Sequence, residues 1–413
     1  MRPQSLKPGW KIVKFGEVVK NANFVERDPE ANDIERIVGL EHIDPENLHI
    51  RRWNSVADGT SFTRKFVPGQ TLFGKRRAYQ RKVAYAEFEG ICSGDILTFE
   101  PKNRKVLLPE LLPFICQSDA FFDHALDTSA GSLSPRTNWT ALKDFEFPLP
   151  PLDEQKRIAE ILWAADEAVE TKRDALNKAN ESFSVLSAHI LTEGFGFHPP
   201  KKTAIGSLHS GWDVVRLGDV ANVVYGITLN SKRNALPLKK PYLRVANVQR
   251  DSFDLNDVNL IGCTEKEASQ YRLQQGDILV VEGHADVNEI GRASLWRDNI
   301  DGCLHQNHLL RVRCGDKLIP EFALAWLNSP RGRSYFRRMA QSTSGLNTIN
   351  STVLKKSLLP LPDTKTQEEI INILASHNAA IRLLREDIEE LHELRNQLVR
   401  KFVPMKIQGA AHV

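Results

Sequence analysis

Residues 148–191 read PLPPLDEQKRIAEILWAADEAVETKRDALNKANESFSVLSAHIL. A proline-stiffened connector opens the stretch, and a long run without Pro or Gly follows. In that run Leu162, Val169, Leu176, Phe183 and Ile190 recur every seven residues, with Ile158, Ala165, Lys172, Ala179 and Leu186 as a second row beside them. Two rows at this spacing make one narrow apolar seam, the pattern of a coiled coil. A helix of about 40 residues would be roughly 60 Å long. It is too long and too narrow-faced for the core of one compact domain. Asp153 suits its N-cap, Glu154 the positive first turn, and Gly194 its end.

The element returns near the C-terminus. Pro360-Leu361-Pro362 repeats Pro148-Leu149-Pro150, and Gln367, Ile370, Ile373 and Leu374 repeat Gln155, Ile158, Ile161 and Leu162. The second seam runs Ile370, Leu374, His377, Ile381, Leu384, Ile388, Leu391, Arg395, Leu398; only His377 and Arg395 break it, and Leu394 is expected to cover part of the Arg395 gap. Thr364 and Gln367 have capping-box spacing, and Pro404 supplies a stop. Each seam lacks a partner within its own segment. Because a whole domain lies between them, the two helices are expected to pair antiparallel. The alternative is two separate amphipathic helices, each on its own domain.

The intervening sequence is itself doubled. Gly9–Val18 reads GWKIVKFGEV and Gly211–Val220 reads GWDVVRLGDV. Further echoes keep the same order: Leu40-Glu41-His42-Ile43 with Val245-Ala246-Asn247-Val248, Val67–Leu72 with Gln274–Leu279, Leu108–Leu111 with Ile319–Phe322, and Asn138…Leu142-Lys143 with Asn350…Leu354-Lys355. So many echoes in register mean an internal duplication. Short β-branched or aromatic runs bounded by turn residues predict strands at Arg36–Ile43, Thr71–Phe73, Val83–Ala86 and Ile96–Phe99, and at Tyr242–Val248, Asp277–Val281, Ala293–Trp296 and Leu309–Val312. Short helices are predicted after Pro109 and Pro320. The expected class is α+β: two similar globular domains of mixed β-sheet with short helices, separated by two long helices in an antiparallel coiled coil, with an internal pseudo-twofold. The expected boundaries are 1–150 and 211–362 for the domains, 151–194 and 363–404 for the helices, 195–210 for a linker and 405–413 for a tail.

Bulk composition narrows the function. The 413 residues carry 55 Lys+Arg against 52 Asp+Glu, a net charge of +3, so a grip on a polyanion needs clustered basic residues or a partner. Cys92, Cys116, Cys263, Cys303 and Cys314 form no CxxC pair, which points to free thiols, no metal site and a reducing, cytoplasmic location. No apolar run approaches a membrane span. There is no GxxxxGK[ST] loop, no Gly-rich dinucleotide fingerprint, no HExxH and no Asn/Asp-Pro-Pro-aromatic motif, and His198-Pro199-Pro200-Lys201 does not qualify as the last. Glu282-Gly283-His284-Ala285-Asp286 reads as a flexible loop after a strand. His305 and His308 stand three apart without a suitably placed carboxylate or Cys, so they are structural polar residues or, with Asn307, DNA contacts.

The basic segments say more. Lys75, Arg76, Arg77, Tyr79, Gln80, Arg81 and Lys82 occupy one loop of the first domain; Tyr225, Asn230, Ser231, Lys232 and Arg233 share one in the second, with Arg331, Arg333, Arg337 and Arg338 further on. Polar stretches Ser132–Asn138, with Arg136 and Asn138, and Ser342–Asn350, with Asn347, precede the proline connectors. Each cluster could be no more than a solvated face. Clusters in both repeats, placed where the repeats diverge, suit two readers of different DNA sequences, since Arg, Gln and Asn read base edges while Lys and Arg hold phosphates.

Together these features resemble the specificity subunit of type I restriction–modification systems. The resemblance spans nearly the whole chain and rests most on PLPPLDEQKRI at Pro148–Ile158, its copy from Pro360 to Ile370, the GWxxVxxGxV start of each half and Gly276-Asp277-Ile278-Leu279. The second connector departs from the pattern, with Asp363-Thr364-Lys365-Thr366 where the first has Pro151-Leu152-Asp153-Glu154. The resemblance implies two target recognition domains reading a split site in double-stranded DNA, a helical spacer setting their separation, and no catalysis or cofactor in this chain. It also implies two modification subunits using S-adenosylmethionine, and restriction subunits using ATP and Mg2+. Half-sites about one helical turn (~34 Å) apart would follow. A different class, a coiled-coil scaffold joining two protein-binding β domains without DNA, would show no salt-sensitive DNA binding. A self-contained methylating or cleaving enzyme is disfavoured by the missing motifs.

Overall fold

The structure is a computed structural model that describes residues 7–131, 134–196, 199–343 and 345–403. Ser132, Leu133, Ser344 and Pro404, named above, lie outside the described residues, as does His198. The chain divides into two compact units, Met1–Asp174 with Arg385–Val413, and Ala175–Leu384.

In the first unit, strand Lys11–Lys14 pairs antiparallel with Glu146–Leu149, so the globular part closes on itself just before the proline connector. A four-stranded antiparallel sheet runs in the order Val19–Asn21, Ile96–Pro101, Thr71–Gly74, Val83–Tyr85. A second sheet of five short strands contains one parallel pair, Arg36–Val38 beside Gly90–Cys92. Helices Leu112–Gln117 and Asp119–Asp127 cover the first sheet over a core of Phe15, Phe73, Phe99, Phe121 and Phe122, with ring centroids 4.9–5.9 Å apart. Ser118 separates the two helices: its Oγ accepts from the Phe121 N–H at 3.3 Å and caps the second.

The second unit repeats the plan. Asp213–Arg216 pairs with Leu358–Leu361, a four-stranded sheet runs Ala221–Tyr225, Leu309–Cys314, Ile278–Val281, Ala293–Leu295, and a smaller sheet again has one parallel pair, Leu238–Leu243 beside Leu304–His305. Gly69 and Gly276 enter equivalent strands with φ of +87° and +89°, a turn that a side chain would strain. The α+β class, the mixed sheets and the short helices match the expectation. The strand expected at Arg36–Ile43 ends at Val38, and the one expected at Tyr242–Val248 lies earlier, at Leu238–Leu243, because each gives way to a 3-10 turn, Leu40–His42 and Val245–Asn247. The 195–210 segment is not an open linker: Pro200–Thr203 and Gly206–His209 form a hairpin. Arg331 holds that hairpin by donating to the Ile205 and Ser207 carbonyls at 3.1 and 2.9 Å.

The long helices are Leu152–Glu193 and Thr364–Phe402. They lie side by side within each unit. In the first, Ile158, Ala159 and Leu162 share a buried cluster with Val399 and Val403, Asp166 pairs with Arg395, and Lys172 donates to Asp387 at 2.6 Å. In the second, Ile190 and Leu191 share a cluster with Ile370 and Leu374, and the Phe183 ring stands 6.5 Å from His377. Each step up one helix is a step down the other, so the pairing is antiparallel. Ile158, Leu162, Val169, Ile190, Ile370, Leu374, Ile381 and Ile388 are buried, while Leu176, Phe183, Leu186, Leu384, Leu391 and Leu398 are half-buried.

Three expectations about the helices need correction. Asp153 is not the N-cap: the first helix already begins at Leu152, and Asp153 stands with Glu154 in its first turn. Leu394 does not fill the Arg395 gap: it is 49% exposed, while Arg395 is buried against Asp166 at 2.6 Å. The Thr364–Gln367 capping box does not form. Asp363 caps instead, accepting from the Thr366 N–H at 3.0 Å, which holds its carboxyl below the usual range.

Gln367 turns inward. Its amide donates to the Lys317 and Pro362 carbonyls, both at 2.9 Å, and accepts from the Ile319 N–H at 2.9 Å. Gln155 does the same with the Val106 and Pro150 carbonyls and the Leu108 N–H at 2.8–3.0 Å. Both side chains are wholly buried, and each ties the proline connector to the loop that leads into a short helix. An Ala at either position would leave buried backbone groups unpaired, so Gln155→Ala and Gln367→Ala should each cost about 2–3 kcal/mol in denaturant unfolding. Hydrogen exchange should rise at 106–108 in the first variant and at 317–319 in the second; a spread of the effect over both units would refute the local tie. Asp166→Ala should cost about 3–5 kcal/mol by stranding the buried Arg395 charge, and the apolar pair Asp166→Leu with Arg395→Leu should recover most of it.

Candidate nucleic-acid interface

In the first unit, strand Thr71–Gly74 delivers the basic loop 75–82, and the segment 130–137 pins it. The Thr137 N–H donates to the Lys75 carbonyl at 3.0 Å, and the Arg77 N–H to the Pro135 carbonyl at 2.8 Å. A 3-10 turn, Ala78–Gln80, sits between Arg77 and Arg81, both left-handed at φ +54° and +52°. Side-chain-bearing residues adopt that conformation at a cost and only where surroundings enforce it, a frequent feature of binding sites.

The loop divides its side chains. Arg77 and Tyr79 point out: both are exposed, and neither side chain has a polar partner among the described residues. Gln80 is half-buried beside them. Arg81 turns inward to Glu46 at 3.0 Å, Asp119 at 2.8 Å and the Gln117 carbonyl at 2.9 Å, with its guanidinium 4.6 Å from the Phe122 ring. Lys82 donates to the Leu40 carbonyl at 2.6 Å. These two are structural, contrary to the sequence expectation that the whole loop faces DNA. Asn138 accepts with Oδ1 from the Ala141 N–H at 2.9 Å to cap Trp139–Leu142, and the residue remains exposed.

Around the loop one carboxylate faces several cations. Asp95 accepts from Arg136 at 3.2 Å and lies 3.6 Å from Arg76. Arg64 comes in from strand Arg64–Phe66, tied by Asn23 and the Gly94 and Ile96 carbonyls. Lys75 completes the group: burial first, then the Arg64 and Arg136 charges, push its ammonium below the usual value, and Asp95 opposes them. Four cations about one carboxylate make a positive surface that a polyanion would relieve. Sequence spacing could not find Arg64, which is distant in the chain and reaches the cluster only through sheet pairing.

The second unit uses the same frame with a different charge distribution. The segment after strand Ile278–Val281 is no flexible loop: Gly283–His284 pairs with Leu346–Thr348, and Asn347 donates to the Ala285 carbonyl at 2.9 Å. A 3-10 turn, Val287–Glu289, corresponds to Ala78–Gln80. Here the turn is acidic and the cations come from helix Pro330–Met339. Arg337 donates to Asn288 at 3.4 Å, Arg338 is exposed, and Arg333 is half-buried near Arg250, whose guanidinium is lowered by burial and then by that neighbour. Asn230 and Lys232 are exposed. Asn307 is half-buried, and the Tyr225 hydroxyl accepts from the Ser351 N–H at 3.0 Å.

Three side chains of this unit expected to contact DNA are engaged within the unit itself. Arg331 holds the hairpin described above. Arg233 forms two bonds to Glu267, at 2.9 and 3.1 Å, and holds that carboxyl down to about 2. His305 is wholly buried; burial and then Arg311 bring its imidazole down to about 3, and Nδ1 faces the Tyr271 carbonyl at 3.1 Å. Among the described residues no group of His, Cys, Asp or Glu could hold a metal ion, and no helix is long and apolar enough to cross a membrane. All five cysteines are free, and burial pushes Cys92, Cys303 and Cys314 to about 12.

Comparison with known proteins agrees with this architecture. The EcoKI specificity subunit of Escherichia coli K12 is 25% identical over 323 residues, covering 74% of this chain and 67% of its own length. The StySPI specificity subunit of Salmonella potsdam is 24% identical over 344 residues, 82% of this chain and 72% of its own. Among solved structures, a chain studied for complex assembly and conformational transition of the type I R-M system matches with a TM-score of 0.60 at 21% identity, over 97% of this chain and 99% of its own. The type I S subunit from M. genitalium matches at 0.53 and 13% identity, over 98% and 100%. The family described as type I restriction modification DNA specificity domain matches residues 9–181 and 209–393, both halves with their long helices, and to that family this chain belongs.

Proposed function

We propose that this chain is the non-catalytic, sequence-reading subunit of a type I restriction–modification complex, and that each globular unit reads one part of a bipartite target in double-stranded DNA. The carrying observation is the cluster in which Arg76 and Arg136 pair with Asp95 while Lys75 feels the charges of Arg64, Asp95 and Arg136, with Arg77 and Tyr79 exposed on the same loop. Phosphates would satisfy the cluster, and Arg77 on its strained, pinned backbone would read a base edge. In the second unit Arg333, Arg337 and Arg338 would hold the backbone, with Lys232, Asn230 and Asn307 on neighbouring loops. The paired helices would dock two methyltransferase subunits that use S-adenosylmethionine. Those in turn would recruit restriction subunits that use ATP and Mg2+.

Selection from a pool of randomised duplexes, with the full chain co-purified with its methyltransferase subunits, tests this. The expected product is two unequal short sequences separated by a fixed number of unread base pairs. One contiguous motif, or none with salt-insensitive behaviour, would favour a protein-binding scaffold. Arg77→Ala should cost about 1–3 kcal/mol and relax one half of the motif only; equal relaxation of both halves would end the division of labour. Lys75→Gln should weaken binding to all duplexes alike, and the slope of log affinity against log salt should fall by about 0.9.

A further inference from the structure

His49 lies where the segment 44–52 meets both long helices, within the first unit. Its Nδ1 is 2.7 Å from Glu87 Oε1 and its Nε2 is 2.8 Å from Asp166 Oδ2. Carboxylates accept and do not donate. A neutral imidazole has one N–H, so it would leave a lone pair facing one of these oxygens; only the doubly protonated ring satisfies both. The site is built rather than incidental. The His49 side chain is 12% exposed and that of Asp166 3%, and the Trp163 ring stands edge-on at 6.1 Å.

The same segment also holds the candidate reading loop. Arg395 donates from one nitrogen to Asp166 at 2.6 Å and from the other to the Glu46 carbonyl at 2.8 Å. Glu46 pairs with Arg81 at 3.0 Å, and its N–H donates to the Arg81 carbonyl at 3.3 Å. Arg81 ends the turn that displays Arg77 and Tyr79. Hydrogen bonds therefore run from the loop through Glu46, Arg395 and Asp166 to His49 and Glu87, joining sheet, loop and both helices.

We propose that His49 is a positioning residue, a protonated pin that seats the first unit's reading loop on the paired helices, so that DNA reading by this unit requires the doubly protonated imidazole between its two carboxylates. The proposal rests on the DNA-reading role above. The ring itself meets Glu87 and Asp166, and the charged groups around them are Glu170 and Arg173 on the first helix, Arg395 and His392 on the second, and Arg51 and Glu46 on its own segment. Burial opposes the charged ring, but the Asp166 and Glu87 bonds outweigh it and raise its pKa above 6.5. Asp166 is lowered and stays ionised, and His392 is lowered by burial, Arg395 and Arg173. The sign follows: the pin is fully formed below the ordinary histidine value and is lost as pH rises through the raised one. Among the described residues the second unit has no such pin. Under the Gln155–Gln367 equivalence, Asp166 corresponds to Asn378 and Arg395 to Phe183. Its half of the target is the internal control.

The test measures binding of the full chain, with its methyltransferase subunits, to duplexes carrying the selected motif with one half scrambled at a time, from about pH 6 to pH 8.5. Once pH passes the His49 midpoint, binding through the first unit should fall roughly tenfold for each further pH unit, while the second unit's half stays level. His49→Gln should bind the first half weakly at every pH. Glu87→Gln keeps the packing and offers an amide to the neutral ring, so it should move the midpoint down; histidine-labelled NMR reads that midpoint directly. A His49 midpoint at or below about 6.5, or a level first-half profile in the wild type, would overturn the pin. A motif with a level profile removes this proposal alone. No motif at any pH removes the DNA-reading role and the pin's purpose together.

Discussion

The register between the long helices rests on the Asp166–Arg395 pair. A seam of Ile, Leu, Val and Ala repeats itself every seven residues, so a slide of one heptad, about 10 Å along the axis, still sets apolar on apolar. Arg395 forbids that slide. Its side chain is 2% exposed, and its charge is neutralised where Asp166 stands, 2.6 Å away. Two buried ions add little net stability, because their desolvation offsets most of their attraction. What they add is a unique register. The Glu46 carbonyl, bonded to the same guanidinium, extends that register to the globular part, so the reading loop inherits its place from the helix pairing.

The repeat was legible in the sequence because backbone needs are alike in both halves. Gln155 and Gln367 recur since each must satisfy two carbonyls and one N–H at a connector that prolines deprive of donors. Gly69 and Gly276 recur since each turn needs a positive φ. Arg395 looked like a defect in the seam, because periodicity sees polarity and not the carboxylate 229 positions away in the chain. The same blindness hid the hairpin at 200–209, whose Gly and Pro read as punctuation, and the strand at 283–284, whose partner lies across the unit.

Legibility of the candidate interface was uneven for one reason. Composition shows where cations are and not which ones are already neutralised. Arg81, Lys82, Arg233 and Arg331 all fell within basic runs, and each is consumed by carboxylates or carbonyls of its own unit. Arg64 stood outside any run and joins the Lys75 group through the sheet. The two units also place their charge differently on one frame. The first has a basic turn against helix Asp119–Asp127, with acidic Asp119, Asp123 and Asp127; the second has acidic Asp286 and Glu289 against the arginines of Pro330–Met339.

That exchange explains how a chain with a net charge of only +3 can serve a polyanion. Pairing turn and helix with opposite signs neutralises part of each contact, so basic residues can be clustered locally without a large net charge. The frame needs some charge complementarity between turn and helix but not a fixed polarity. Either partner can therefore change its basic residues while the other compensates, and the sheet, connector Gln and helix register stay as they are. Two units that diverge in this way keep one fold and come to present different surfaces to DNA. A single chain can then recognise two unlike sequences with one duplicated architecture.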